Sequence, residues 1–223
     1  MNLPINEIFH SVQGEGSYTG TPSVFVRLQY CPILCPFCDT KHTWEKFGNN
    51  EISFDMMLAK TADAPTWADV DVYKLAGYLK EQPEKHIVIT GGEPCVYDLW
   101  QITSILIEYG KTVQIETSGT FEIRADGSTF ITLSPKIGMP GGYRVLDNAV
   151  YKANEIKMPI GKMKDVETLK RFLGDANMFT GDLPVVYLQP LSQSEKATEL
   201  CIEQARLNGW RLSAQLHKFL KIR

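Results

Sequence analysis

Short apolar runs, rich in β-branched residues, recur along the chain and predict strands. Most are apolar at nearly every position, which is typical of strands that are covered on both faces. The predicted strands are Val24–Val26, His86–Ile89, Val113–Ile115, Phe130–Leu133, Val185–Leu188 and Leu212–Ala214.

Apolar positions at helical spacing lie between these runs. One stripe stops just before Gly110, where a C′ glycine would end a helix, and a second follows Ser194. The members of the two stripes are Leu99, Ile102, Leu106 and Tyr109, then Ala197, Leu200, Cys201 and Ala205. Strand alternating with helix predicts right-handed βαβ units and a parallel sheet, either open or curled into a partial barrel.

One stretch of the chain differs from the rest in composition. From His42 to about Asp71 the chain is polar and interrupted, and it predicts one short helix around Phe54–Lys60. We expect a single domain over residues 1–223 with this polar insertion at about 42–71, because 223 residues suit one large domain or at most two small ones. The insertion is either a solvated loop without a role or a docking surface for a reductase or another protein.

Polar residues follow the predicted strands. The C-terminal ends of parallel strands meet on one face of an α/β fold, where active sites are found, so we expect these residues to converge with a cysteine-rich loop that follows the first long strand. They are Thr90–Pro94, Glu116–Gly119, Ser134–Lys136, Gln189–Pro190 and Gln215, with His217 and Lys218 just beyond.

Composition narrows the class of protein. The formal net charge is -3 and 22% of residues are charged, which argues against direct nucleic-acid binding. No apolar run approaches the length needed to span a membrane, and the first residues lack the pattern of a secretory signal. We therefore expect a cytoplasmic protein whose 5 cysteines are reduced, an odd number that favours metal binding or catalysis over disulfides.

Cys31, Cys35 and Cys38 form a C-x3-C-x2-C motif. A structural zinc site takes four nitrogen or sulfur ligands, and a cubane 4Fe-4S cluster normally takes four thiolates. Three thiolates would leave one iron of a cubane open for chemistry. A partial zinc site with His42 as a further ligand is the alternative, while Cys95 and Cys201 are interpreted as core or second-sphere thiols.

These features resemble the radical S-adenosylmethionine superfamily, whose fold is an α/β, incomplete TIM-like β/α barrel. Phe37 stands before the last cysteine, where an aromatic residue is common, and Gly91-Gly92-Glu93-Pro94 resembles the glycine-rich strand end that meets the cofactor's methionine moiety. Glycines allow the backbone to approach a ligand closely. In this superfamily the open iron binds S-adenosyl-L-methionine, and the reduced cluster splits it to a 5′-deoxyadenosyl radical.

Further motifs narrow the resemblance to the 7-carboxy-7-deazaguanine synthase family, and they extend over nearly the whole chain in the family's order. They are Ile8–Gly16, Gly20–Leu28, Cys38-Asp39-Thr40, Thr90–Pro94, Glu116–Gly119, Ser134-Pro135-Lys136 and His217-Lys218. The resemblance implies a carbon–nitrogen lyase that contracts 6-carboxy-5,6,7,8-tetrahydropterin to 7-carboxy-7-deazaguanine with loss of ammonia, in queuosine or 7-deazapurine biosynthesis. It also implies a 4Fe-4S cluster, S-adenosyl-L-methionine, magnesium, a homodimer and a low-potential flavodoxin or ferredoxin as electron donor.

The same resemblance implies roles for individual residues. Cys31, Cys35 and Cys38 would hold the cluster, and Thr40 would bind Mg2+. The cofactor would be lined by Phe37, Asp39, Gly92, Ser134, Pro135, Lys136 and Gln189. The substrate would be held by Val12, Gln13, Gly14, Glu15, Arg27, Thr90 and His217, of which Glu15 and His217 are also candidate catalytic groups.

Several of these residues also have a simpler structural interpretation. Glu15 is also consistent with a turn residue, Arg27 with a solvated strand residue, His217 with a surface histidine and Lys136 with a structural lysine. Tyr30 departs from the glycine that is common before the first cysteine. A glycyl-radical-enzyme activase that acts on a protein partner, and a zinc-stabilised interaction protein, are the competing functions.

Overall fold

The computed structural model describes residues 1–180 and 184–222 of the chain. Within those residues nine strands form one sheet, in which neighbouring strands follow the order β3-β1-β2-β4-β5-β6-β7-β8-β9. Their bounds are β1 Asn2–Val12, β2 Pro22–Leu28, β3 Ala68–Asp71, β4 His86–Gly91, β5 Thr112–Thr117, β6 Phe130–Leu133, β7 Glu155–Ile160, β8 Val185–Pro190 and β9 Arg211–Leu212.

Helices connect most of the parallel strands, as the alternation of patterns predicts, although none lies in the described residues between β5 and β6. β2 and β4 to β9 run parallel to one another. The helices are α1 Phe54–Leu58, α2 Val72–Lys80, α3 Trp100–Glu108, α4 Asp147–Lys152, α5 Met163–Thr180, α6 Glu195–Asn208 and α7 Leu216–Leu220. The α/β class is therefore confirmed, and no helix among the described residues is long and apolar enough to cross a bilayer.

The helix signals in the sequence act as expected. In α3, Ile102 and Leu106 are buried, and Gly110 follows the helix with φ +76°, a backbone conformation that favours glycine. Tyr109 is instead 42% exposed, with its ring beside Lys80. In α6 the Ser194 side chain caps the first turn by accepting a hydrogen bond from the backbone N–H of Ala197.

The N-terminal part of the sheet differs from the expectation of a wholly parallel sheet. β1 pairs antiparallel with β2, and β3 pairs antiparallel with β1. The sequence pattern does not predict β1, because the polar residues Asn6 and Glu7 interrupt its apolar run although both are buried. The cysteine loop consequently follows the second strand of the chain rather than the first.

The polar stretch 42–71 is closely attached to the sheet. It contains the short helix α1 that the sequence predicts, but it ends in β3, which extends the sheet beyond β1. Met57, Trp67, Ala68 and Val70 are at most 4% exposed, so the stretch contributes to the hydrophobic core. At the other edge, the strand predicted at Leu212–Ala214 is displaced to Arg211–Leu212.

Candidate active site

A cavity of about 590 Å³ opens at the C-terminal ends of the parallel strands. This is the face on which polar strand ends were expected to converge. Nearly all of the candidate site residues line it, while Pro135 is buried and does not line it. The candidates that line it are Val12, Gln13, Gly14, Glu15, Arg27, Cys31, Cys35, Phe37, Cys38, Asp39, Thr40, Thr90, Gly92, Ser134, Lys136, Gln189 and His217.

The cysteine loop runs along one wall of this cavity. It leaves β2 at Tyr30, whose φ of +88° is a conformation that side chains disfavour, and this explains why glycine suits the position. The Cys31 N–H donates to the carbonyl oxygen of Trp44 at 3.1 Å, and the Cys38 N–H donates to that of Cys35 at 3.0 Å. The loop is thus closed on itself by backbone hydrogen bonds.

The arrangement of the three thiols fits a cluster better than a single zinc ion. Among the described residues, the one group of His, Cys, Asp and Glu whose ligand atoms all lie within 4.8 Å of one another is Glu7, His42 and Asp63, so the three sulfurs are more widely spread. Sulfurs around one zinc ion, each bound at about 2.3 Å, would lie closer together. His42 belongs to a different group of side chains from the thiols.

Burial shapes the chemistry of these thiols. Burial raises the pKa of Cys31 to about 11, and it also raises the pKa of Cys35. Their thiolates are therefore costly without a positive partner, and iron would supply one. Cys95 and Cys201 are buried away from the cavity lining, as expected of core or second-sphere thiols.

The glycine-rich end of β4 packs against the start of the cysteine loop. A Cβ atom on Gly92 would lie 2.0 Å from the carbonyl oxygen of Tyr30, so only glycine fits there. The N–H of Gly92 donates to the carbonyl oxygen of Leu28 at 2.9 Å, and the N–H of Glu93 donates to that of Tyr30 at 2.9 Å. The close backbone approach that requires glycine is thus made to the chain's own cysteine loop.

Glu93 ties the ends of β4 and β5 together. Its carboxylate is 2% exposed and accepts hydrogen bonds from the hydroxyl of Thr117 at 2.5 Å and the N–H of Ser118 at 2.8 Å. The backbone N–H of Cys95 donates to it at 3.0 Å. The Gly91-Gly92-Glu93-Pro94 motif does not by itself predict a role for Glu93, whose side chain joins two strand ends in the structure.

A second wall carries a cluster of side chains around Lys157. Its ammonium group bonds to the carboxylate of Glu15 and lies 3.2 Å from both oxygens of Glu116. Gln13, only 2% exposed, donates from Nε2 to Gln114 and Glu116 at 3.1 Å, and its Oε1 accepts from the N–H of Glu15. The cluster fixes the loop after β1 against β5 and β7.

The two sides of this ion pair shift each other's pKa. Burial, the largest influence, acts to raise the pKa of Glu15, but Lys157, Gln215 and His217 outweigh it and the pKa is lowered. For Lys157 burial acts to lower the pKa, yet Glu116 and Glu15 outweigh it and the pKa is raised. Glu15 is therefore an ionised acceptor and Lys157 an ammonium at neutral pH.

The C-terminal strand ends complete the wall around Glu15. Gln215 donates from Nε2 to Glu15 at 2.9 Å, and Gln189 donates to the same oxygen at 3.2 Å. The amide oxygen of Gln189, Oε1, is buried without a hydrogen-bond partner among the described residues, which suits a site that a ligand completes. His217 lies against Gly14, where a Cβ atom would come within 2.5 Å of its Nδ1.

Arg27 is held firmly from one side. Its Nε donates to the buried carboxylate of Glu7 at 2.6 Å, and its guanidinium lies 5.6 Å from the centre of the Phe9 ring. Phe9 in turn stacks on Phe25 with ring centres 5.0 Å apart. The solvated alternative for Arg27 is not what the structure shows, because its side chain is 17% exposed and ion-paired.

The rim of the cavity carries the remaining candidates. The Thr40 hydroxyl lies 3.6 Å from the sulfur of Cys38, and Phe37 and Asp39 are exposed beside it. Lys136 donates to the hydroxyl of Ser134 at 2.5 Å and to its carbonyl oxygen at 3.0 Å. Burial lowers the pKa of Lys136, although Cys35 acts in the opposite direction.

Sequence reasoning missed two of the most connected groups in the cavity. Lys157 lies in β7, which the apolar pattern does not predict, and the Glu116–Gly119 motif does not by itself predict a role for Glu116. The available signal for Lys157 was a single lysine within the otherwise largely apolar stretch 156–160. A charged side chain in a buried strand usually marks a paired or functional position.

Comparisons with known proteins agree with this geometry. A scan against protein-family models gave no match. The chain is 48% identical over the full length of both chains to 7-carboxy-7-deazaguanine synthase of Escherichia coli K12, and 44% identical over the full length to that of Buchnera aphidicola. The crystal structure of QueE from Escherichia coli is similar with a TM-score of 0.93 and 47% identity, covering 97% of this chain and 95% of the other.

Proposed function

The chain belongs to the 7-carboxy-7-deazaguanine synthase family, and on that premise we propose how the residues of its cavity share the work of the reaction. The protein is a radical S-adenosylmethionine enzyme and a lyase of queuosine biosynthesis. It contracts the ring of 6-carboxy-5,6,7,8-tetrahydropterin to give 7-carboxy-7-deazaguanine with loss of ammonia. The observation that carries this assignment is full-length similarity combined with a cavity that brings the three thiols and the Lys157 cluster together.

The three thiols are the protein's ligands for the 4Fe-4S cluster of this family. When bound, the cluster and S-adenosyl-L-methionine supply a radical that removes a hydrogen atom from the substrate. Cys31, Cys35 and Cys38 are supported in this role by their common cavity and their spacing. We assign Gly92 and Lys136 to the cofactor side, because both line the cavity near the cysteine loop.

The remaining residues assigned to the cofactor also follow from their place in the cavity. Phe37, Asp39 and Ser134 line it and are kept as cofactor contacts, while Pro135 acts through the position of its neighbours. Gln189 is now proposed to serve both sides, since its Nε2 bonds to Glu15 and its Oε1 is left for a ligand donor.

We propose that the sheet curls as an incomplete TIM-like β/α barrel around the loop that follows β1. The proposal is supported by side chains of distant strands that converge on that loop. Gln114 of β5 bonds to Gln13, Glu155 of β7 to the N–H of Ser17, and Ser213, just past β9, to the N–H of Gly16. A flat sheet would hold these strands too far apart to reach one short loop.

The substrate side is formed by groups that match a pterin. A pterin edge presents amide and amine donors, for which Gln13 and the ionised Glu15 are suitable acceptors. Arg27 would meet the carboxylate with its terminal nitrogens, since the bond to Glu7 uses Nε. Val12, Gly14, Thr90 and His217 line the same part and would enclose the ring.

Glu15 acts as an acceptor rather than as an acid in this proposal. Its pKa is lowered, so at neutral pH its carboxylate has no proton to give. Its oxygens accept hydrogen bonds from Lys157, Gln189 and Gln215, which fix their direction before the substrate binds. His217 is proposed as the group that reaches the substrate from α7.

We propose Thr40 as the ligand of a magnesium ion at the rim. Magnesium prefers oxygen ligands and retains waters, so one hydroxyl combined with substrate oxygens suits it. Thr40 lines the cavity close to Cys38, which supports a magnesium ion between the substrate and the cluster loop.

Three further proposals concern the enzyme's surroundings. A low-potential flavodoxin or ferredoxin would reduce the cluster across the exposed end of the cysteine loop, where Phe37 is 43% exposed. A homodimer rests on the family resemblance. A cytoplasmic location is supported by the cysteines, which are all free thiols within the described residues.

The decisive assay is anaerobic turnover by the reconstituted protein with carboxytetrahydropterin, S-adenosyl-L-methionine, magnesium and a reductant. We expect equal amounts of 7-carboxy-7-deazaguanine and ammonia. Cleavage of S-adenosyl-L-methionine without a deazaguanine product would contradict the assignment and favour the glycyl-radical activase, which the relatives do not support.

A further inference from the structure

A group of charged side chains lies directly behind Arg27, outside the cavity lining. Glu7, His42 and Asp63 place their ligand atoms within 4.8 Å of one another, which on its own would suit a metal ion. Two cations oppose that interpretation, because Arg27 bonds to Glu7 and both Arg27 and Lys60 act on His42 through their charges. Two carboxylates and two cations balance, so the group is a charge network attached to Arg27.

An irregularity in β1 aims Glu7 at Arg27. Ile5 pairs with Leu28, and Glu7 pairs with Arg27, so one strand advances by two residues while the other advances by one. Successive residues of β2 point to opposite faces, and therefore Glu7 emerges on the face opposite to Ile5. A regular strand would have placed Glu7 on the same face as Ile5, away from Arg27. The extra residue of this β-bulge is Asn6.

The bulge is fixed by the stretch 42–71. Lys60 donates from Nζ to the carbonyl oxygen of Asn6 at 2.9 Å and to that of Thr66 at 3.0 Å. The Asn6 amide donates to the carbonyl oxygen of Ala64 at 2.9 Å and to the side chain of Gln29 at 2.7 Å. Three of these bonds join Asn6 to a neighbouring segment, and the bond to Thr66 holds Lys60 in place, so the conformation of Asn6 depends on them.

We infer that Glu7 is a positioning residue that sets the orientation of Arg27 and thereby the enzyme's preference for a pterin that carries a carboxylate. Glu7 is buried, and its bond to Nε combines with the Phe9 ring to hold the plane of the guanidinium. The terminal nitrogens are then presented in a fixed direction, which suits a bidentate contact with a carboxylate. The stretch 42–71 takes part by holding the bulge that aims Glu7.

This inference rests on the proposed contact between Arg27 and the substrate carboxylate. It therefore predicts an effect that depends on the ligand. Replacing Glu7 should weaken binding of a pterin that carries the 6-carboxylate, whereas binding of tetrahydropterin, which lacks that group, should not change.

The test measures anaerobic binding of both pterins to the reconstituted, S-adenosylmethionine-loaded enzyme. Glu7→Gln keeps the size of the side chain but removes its charge. We expect it to weaken binding of the carboxylated pterin about tenfold and binding of tetrahydropterin less than about twofold. Glu84→Gln is the matched control, because Glu84 bonds to His10 of the same strand at 3.0 Å outside the cavity. It should change neither affinity. Lys60→Met tests the bulge and should act selectively in the same direction as Glu7→Gln.

Arg27→Lys separates the two levels of the proposal. Suppose that Arg27→Lys weakens binding of the carboxylated pterin alone, whereas Glu7→Gln weakens binding of both pterins equally or of neither. That result would overturn the role of Glu7 and leave that of Arg27 intact. If Arg27→Lys weakens binding of both pterins equally, the proposed carboxylate contact is overturned, and the inference with it. Cluster absorption and circular dichroism identify a variant that fails to fold. In that case Lys60→Met decides, and equal loss of both ligands there would overturn the inference.

Discussion

Lys157, in the wall of the cavity, lies 3.2 Å from both oxygens of Glu116, and its third link is to Glu15. One ammonium group thus pairs with two carboxylates that come from different parts of the chain. Because the lysine is 5% exposed, water contributes little to stabilising its charge, which therefore depends on the two carboxylates. Lys157 is the largest of the influences that lower the pKa of Glu15, ahead of Gln215 and His217.

Replacing Lys157 by Met should show how far the two carboxylates depend on it. Glu15 and Glu116, which are 12% and 22% exposed, would lose their cation, so we expect the free energy of unfolding to fall by about 3 kcal/mol and kcat/KM to fall roughly 100-fold. Urea unfolding and anaerobic kinetics measure the two effects. Lys111→Met, which removes an ammonium bound to backbone carbonyls outside the cavity, should leave KM unchanged.

The same variant should change the pH dependence of substrate affinity. In the wild type the pKa of Glu15 is lowered, so the stabilisation from its ionised form is present above the unfolded pKa and is lost only as the pH falls through the lowered value. Without Lys157 the effect of burial on the pKa of Glu15 would dominate and raise it. Substrate affinity, measured from acidic to neutral pH, should then begin to fall at a higher pH than in the wild type. An unshifted profile would show that Lys157 does not control Glu15.

Cysteine variants should separate cluster ligands from core thiols. Cys38→Ala removes one thiolate from the cavity wall, and we expect loss of the cluster and of radical chemistry, measured by iron and sulfide analysis and by absorption. Cys201→Ala changes a fully buried thiol of α6 and should retain the cluster. A Cys38→Ala protein with full iron content would contradict the ligand assignment.

Thr40→Ala tests the magnesium proposal. If the hydroxyl is a ligand, activity should fall about tenfold and a higher magnesium concentration should be needed to reach half of the maximum. The absorption of the cluster should be retained, although the hydroxyl lies 3.6 Å from the sulfur of Cys38. Thr198→Ala in α6 is the control, since its hydroxyl bonds to the carbonyl oxygen of Ser194. The same magnesium dependence in both variants would argue against Thr40 as a ligand.

Tyr30 offers a test of backbone strain in the cysteine loop. Its φ of +88° costs free energy for any residue with a Cβ atom, so Tyr30→Gly should be more stable than Tyr30→Ala by about 1 kcal/mol. Both variants lose the ring, and their difference therefore isolates the backbone. Urea unfolding of the two metal-free proteins measures it, and a less stable glycine variant would mean that the loop does not hold this conformation.

The sequence predicts the parallel part of the fold well because buried parallel strands are apolar along their length. It fails at β1 and β7, where the charged residues Glu7 and Lys157 interrupt the apolar positions of the strand. Both charges are buried in ion pairs with residues distant in the chain. A hydrophobicity pattern depends on the residue at each position alone and contains no information about an ion-pair partner on another strand. These two strands are therefore not predicted from it.

The candidate site follows a similar pattern. The cysteine loop and the strand-end motifs are local in sequence, and all but Pro135 of the residues drawn from them line one cavity. The role of the stretch 42–71 was not predictable, because it depends on bonds from Lys60 to the bulge at Asn6 rather than on its own composition. Contacts of this kind arise only when the chain folds.

The most direct measurement is an anaerobic crystal structure of the reconstituted enzyme with S-adenosyl-L-methionine and carboxytetrahydropterin. We predict the pterin edge at Gln13 and Glu15, the substrate carboxylate at the terminal nitrogens of Arg27, and the cofactor between the substrate and the cysteine loop. A pterin bound outside this cavity, or one whose carboxylate faces away from Arg27, would contradict the proposed arrangement.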